Sequence, residues 1–88
     1  MNRLGLKYDV ISPFAGTIER TWYQSGDRVE EGEIFCTLTV TGKRIDILSP
    51  VTGYVDVMEI EQGELVIAGM ILASIILSGV EAGNPSSD

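Results

Sequence analysis

The chain repeats itself. Sliding the 88-residue sequence along itself by 37 positions aligns Asp9 to Gly42 with Asp46 to Gly79 without a gap. Nine pairs are identical: Asp9/Asp46, Ser12/Ser49, Pro13/Pro50, Gly16/Gly53, Gly26/Gly63, Val29/Val66, Gly32/Gly69, Ile34/Ile71 and Gly42/Gly79. Between them apolar character recurs, as in Val10/Ile47, Ile18/Val55, Val29/Val66, Phe35/Leu72 and Leu38/Ile75. Turn formers and apolar positions kept in one frame imply two copies of one supersecondary unit. Two units are too few for a solenoid, so the copies must share a core in a closed arrangement with a pseudo-two-fold axis.

Each copy reads as strands. β-branched residues crowd the apolar positions and from Gly16 to Gly79 glycines arrive every six to eleven residues, a spacing that leaves no window for a long helix. Ser-Pro-x-x-Gly at Ser12 to Gly16 and at Ser49 to Gly53 is turn chemistry, with proline fixing φ and glycine supplying positive φ. Gly26-Asp27 and Gly63-Glu64 mark a second turn, Gly32-Glu33 and Gly69-Met70 a third. The expected strands are 6–12, 16–24, 28–30 and 34–40, then 44–48, 53–61, 65–67 and 70–77. Val55 and Val57 alternate with polar neighbours before Met58 and Ile60 do so, a slip that predicts a bulge. The fold class is all-β, a flattened eight-stranded barrel or sandwich. Ile18, Val29, Leu38, Val55, Val66 and Ile75 are its expected core. Thr41-Gly42-Lys43 separates two apolar strands and reads as the hairpin joining the halves.

Composition narrows the function. There is no histidine, and Cys36 is the sole cysteine, so the usual general base, a cysteine metal site and an internal disulfide are all missing. A self-sufficient enzyme does not fit that inventory. Thirteen acids face six bases for a net charge of −7, and Arg3, Lys7, Arg20, Arg28, Lys43 and Arg44 all lie in the first half. Such a chain lacks the clustered cations that bind nucleic acid or anionic lipid. The apolar run Leu65 to Val80 is shorter than the roughly 20 residues of a membrane-spanning helix, and the N-terminus has no secretory pattern. The expectation is a cytoplasmic protein with no membrane or nucleic-acid partner. Residues 1–5 read as an N-terminal tail, 6–78 as the domain, and 79–88, with Gly83, Pro85, Ser86 and Ser87, as a disordered C-terminal tail.

Four stretches, Ser12 to Ile18, Gly26 to Glu33, Ser49 to Val55 and Gly63 to Gly69, make the chain resemble the biotinyl/lipoyl domain family, the barrel-sandwich hybrid of carboxylase and 2-oxoacid dehydrogenase carriers. The resemblance covers Lys7 to Ile76. It implies a carrier in which one lysine at the tip of the central hairpin is acylated by biotin or lipoate and swings between active sites. Counting forward from Gly32 and backward from Pro50 puts that position at Gly42. The biotinyl Ala-Met-Lys-Met and lipoyl Asp-Lys-Ala patterns are replaced here by Val40-Thr41-Gly42-Lys43. Lys43 stands one residue late, and Lys7 is the only other lysine. Because side chains alternate along a strand, one residue of displacement redirects the amine.

Three functional readings follow. The first is a non-catalytic member of this family, unmodified at the hairpin and without cofactor, serving as a protein-binding, assembly or regulatory module. The second is a carrier holding covalent biotin or lipoate on Lys43, whose partners would be a biotin or lipoate ligase and a carboxylase or 2-oxoacid dehydrogenase complex. The third is a structural adaptor barrel, as in periplasmic membrane-fusion proteins.

Other residues divide between function and structure. Lys43-Arg44 is either a handle for an acidic partner or a solvated turn. Trp22 aligns with the outward Glu59 and is a candidate partner surface, or else it is partly buried at an end of the barrel; Tyr23 aligns with the apolar Ile60. Cys36, which aligns with Ala73, reads as a small core residue. Glu30, Glu31 and Glu33 lack the ligand spacing of a calcium loop and read as a solvated edge, and no metal site is expected.

Overall fold

The computed structural model describes residues 6–78, so the tails assigned to 1–5 and 79–88 lie outside the described residues. Eight strands follow one another: β1 (Lys7–Ile11), β2 (Gly16–Thr21), β3 (Arg28–Val29), β4 (Ile34–Val40), β5 (Lys43–Leu48), β6 (Gly53–Met58), β7 (Leu65–Val66) and β8 (Ile71–Leu77). Adding 37 to the first four reproduces the last four, except that β5 starts one residue early. The described residues contain no helix, and therefore none long and apolar enough to cross a membrane.

Two open antiparallel sheets stack face to face, in strand orders β1-β8-β6-β3 and β5-β4-β2-β7. Each sheet draws two strands from each copy. The exchange is reciprocal: Thr17 of β2 pairs with Leu65 of β7, while Arg28 of β3 pairs with Tyr54 of β6. Turn hydrogen bonds follow the same rule. Ser12 N–H donates to Met70 O at 2.9 Å and Gly69 N–H to Ser12 O at 2.8 Å; the mirror bonds run from Ser49 N–H to Glu33 O and from Gly32 N–H to Ser49 O, both 2.8 Å. Each copy thus satisfies backbone groups of the other, as a two-fold requires. Ser12 and Ser49 are buried, and their hydroxyls donate to Phe14 O and Val51 O, each at 2.7 Å, which explains their recurrence.

Between the sheets lies one core. Ile18, Val29, Leu38, Val55, Val66 and Ile75 are all buried there with Val10, Phe35, Leu72 and others. Three details differ from expectation. β2 and β6 stop at Thr21 and Met58 rather than 24 and 61, because Gln24 N–H and Glu61 N–H turn to the carboxylates of Asp27 (2.9 Å) and Glu64 (3.0 Å). The bulge falls at Asp56, between Val55 and Val57, which leaves Val57 exposed instead of facing the core with Val55. Gly16 and Gly53 do not have positive φ. They begin strands that run so close to a neighbour that a Cβ on Gly16 would sit 2.6 Å from Thr39 O, and one on Gly53 would collide with Ile76 O. Close approach is what requires glycine there.

Candidate functional site

The β4–β5 hairpin has a loop of two residues. Val40 pairs with Lys43, leaving Thr41 and Gly42 to make the turn with φ of +46° and +81°. Two successive positive φ values define a type I′ turn, the form that matches the twist of the flanking strands. Glycine is the natural choice at the second position, and a Cβ there would meet nothing within 4 Å. Thr41, β-branched, is a costly choice at the first. Its hydroxyl donates to Val40 O at 2.7 Å.

Lys43 is the first residue of β5 and is exposed. As the cross-strand partner of Val40 it shares that residue's sheet face, and Val40 packs against the core. The amine therefore departs from the rim of the inner face. Arg44, next along, belongs to the outer face and pairs with Glu19, Nη2 to Oε2 at 3.0 Å; Thr39, opposite Arg44, donates to the other Glu19 oxygen at 2.8 Å. Glu19 occupies the β2 bulge, between Ile18 and Arg20. Its counterpart Asp56 pairs with Lys7, the counterpart of Arg44, again at 3.0 Å. Arg44 is thus one half of an ion pair present in both copies.

Farther down the same outer face lies Trp22, half exposed at 50%. The Arg20 guanidinium stacks over its ring, 4.8 Å from the centroid. The indole N–H reaches Thr37 Oγ1 at a long 3.5 Å, and the Thr37 hydroxyl donates to Asp46 at 3.0 Å. Glu19, Arg20, Trp22, Ile34, Thr37, Arg44 and Asp46 line a shallow depression of about 430 Å³. The sequence reading singled out Trp22 and Arg44 and missed Arg20. The signal was available, since residues two apart in a strand share a face.

The remaining candidates are structural. Cys36 is fully buried, and burial pushes its thiol pKa up to about 11, so it is not a nucleophile. Glu33 folds back on its own turn: Glu30 N–H donates to its carboxylate at 2.8 Å, as does the Tyr23 hydroxyl. The first of these, then the second, holds the Glu33 pKa below the usual carboxylate range. Tyr23 in turn stacks on buried Phe35, with centroids 5.8 Å apart. Among the described residues no group of three or more His, Cys, Asp or Glu side chains is placed to hold a metal ion.

The hairpin does not fit covalent attachment at its apex, because glycine offers no amine. Even so, residues 8–75 match the family described as biotin-requiring enzyme. Among solved structures the chain is similar to Kluyveromyces lactis urea carboxylase, with TM-score 0.75 and 20% identity over 86% of this chain and 7% of that one. It is similar also to a single-chain, multi-domain long-chain acyl-CoA carboxylase, with TM-score 0.76 and 14% identity over 92% of this chain and 8% of that one. At such identities the likeness is one of fold, and the chain spans under a tenth of either enzyme. No curated protein sequence matches.

Proposed function

This chain belongs to the biotin-requiring enzyme family as a biotin/lipoyl attachment-type domain, and from that premise we propose that it is an unmodified member acting as a protein-binding, assembly or regulatory module. The observation that carries this reading is the two-residue turn. By the count from Gly32 and from Pro50, Gly42 takes the place that the family resemblance gives the acylated lysine, and Lys43 is the closing strand pair with Val40. An acylating ligase that reads a lysine at the apex meets a glycine instead. A carrier arm must also sweep freely, and an amine leaving from the rim of the inner face, beside a side chain packed on the core, is poorly placed to do so.

The described residues offer no histidine and no exposed thiol for acid–base or nucleophilic catalysis. Within such a complex, catalysis would belong to other domains and this one would supply contacts. The competing carrier reading keeps one observation in its favour: Lys43 is exposed and has no carboxylate within ion-pair distance among the described residues. Intact mass of the chain purified from its native host separates the two. An unmodified mass is expected, and a biotinyl or lipoyl adduct on Lys43 would replace this reading with the carrier.

A further inference from the structure

We propose that the outer face of β2, β4 and β5 around Arg20 and Trp22 is a docking surface for an acidic protein segment, one that presents a carboxylate beside an apolar side chain. The inference rests on the binding-module reading and names its surface and the chemistry of its partner.

The internal repeat supplies a control. The two outer faces are built on one scaffold, so whatever folding demands of one it demands of the other. Exposed Ile34 and Ile71 occur on both, at 40% and 41%, as do the Glu19–Arg44 and Asp56–Lys7 ion pairs. These are properties of the fold. Arg20 and Trp22 correspond instead to Val57 and Glu59. The Arg20–Trp22 pair is thus dispensable for the architecture; the other sheet carries Arg28 over Tyr54, 5.6 Å from the centroid, but that cation is paired with Glu30.

Charge then selects the partner. On this face Glu19 is neutralised by its ion pair with Arg44 and also accepts from Thr39, while Asp46 on β5 accepts from Thr37 and keeps its charge. Lys7, Arg28 and Arg44 each pair with an acid, whereas Arg20 has no carboxylate partner among the described residues. Its guanidinium carbon sits over the Trp22 ring, 4.8 Å from the centroid, and its N–H donors are left for a bidentate carboxylate. Trp22 and Ile34 beside it present apolar area, and Trp with Arg is the pairing that dominates binding hot spots. Overall charge of −7 repels an acidic segment at long range, but screening over about 8 Å at physiological salt leaves the local contact in control.

The test uses the ¹⁵N-labelled full chain titrated with a blocked Leu-Glu-Leu-Glu-Leu peptide, alongside its Leu-Gln and Leu-Lys analogues. The Leu-Glu peptide is expected to shift the Trp22 indole N–H and the Thr37 amide; Leu-Lys is expected to shift neither, and Leu-Gln to need at least tenfold more peptide. Arg20→Val and Trp22→Glu install the residues that the other face already tolerates, and each is expected to weaken the response tenfold or more with the fold intact. The transplant Val57→Arg with Glu59→Trp is expected to create a second response at Ser74. No response to Leu-Glu, equal responses to Leu-Glu and Leu-Lys, or an unchanged response in Arg20→Val would overturn the proposal. So would sedimentation showing a wild-type dimer that Trp22→Glu dissociates, since the occupant would then be a second copy. An adduct on Lys43 would leave these titrations standing while refuting the unmodified-module reading, so the two failures are distinguishable.

Discussion

Val40 and Lys43 face one another as the pair that closes the β4–β5 hairpin. Everything at the tip follows from that pairing: two residues remain for the loop, both must take positive φ, and the lysine is committed to a strand. A loop one residue longer would have released Lys43 from the strand into the loop.

Thr41 is the strained member of this loop, at φ +46°. Asparagine tolerates that conformation and is the preferred first residue of a type I′ turn. Thr41→Asn is expected to stabilise the domain by about 1 kcal/mol, read as a higher urea midpoint with unchanged slope. A lower midpoint would contradict the turn assignment.

Gly42→Lys combined with Lys43→Ala moves the amine to the apex. Nothing lies within 4 Å of the new Cβ, so the cost is that of a non-glycine residue at φ +81°, about 1 to 2 kcal/mol. The variant is expected to fold, with a lower thermal midpoint, and to become a ligase substrate. Mass spectrometry after exposure to biotin or lipoate ligase checks it.

Gly16 and Gly53 need the absence of a side chain rather than freedom in φ. Gly53→Ala is expected to cost about 1 to 3 kcal/mol through displacement of the Ile76 carbonyl. Leu38→Ala and Ile75→Ala, both at fully buried positions, are each expected to cost about 2 to 4 kcal/mol. Chemical denaturation of the three variants measures both effects, and near-wild-type midpoints would count against the packing described.

Glu33 carries a pH signature. Its pKa is lower folded than unfolded, so its stabilisation is present above the ordinary carboxylate pKa and is lost as pH falls through the depressed folded value. Glu33→Gln should flatten the acid limb of the stability profile over that window and leave the slope above it unchanged. Thermal midpoints across an acid series test this. At Cys36 the expectation is kinetic: a thiol reagent should modify it only as fast as the domain opens, and rapid labelling of native protein would contradict its burial.

Much of this was readable from the chain because turns recur where the two-fold recurs. Gly26, Gly32, Gly63 and Gly69 have the positive φ that Gly-acid and Gly-x signals imply, and the strands between them follow the 37-residue frame. Trp22 aligned with an outward acid and does lie outward. Gly16 and Gly53 were legible as constrained but not why, since the obstacle is a carbonyl on a strand more than twenty residues away. The bulge was legible as a slip in alternation, yet its position at Asp56 depends on register with β8. Arg20 escaped notice because a charged residue on an exposed strand is unremarkable until the ring beneath it is seen.

The central claim is that this hairpin is not a site of acylation. Co-expression of the wild-type chain with biotin ligase and, separately, with lipoate ligase, followed by intact-mass measurement, tests it most directly. The unmodified mass is predicted in both, with Lys7→Ala indistinguishable from wild type. A stoichiometric adduct that persists in Lys7→Ala and vanishes in Lys43→Ala would contradict the account and make the chain a carrier.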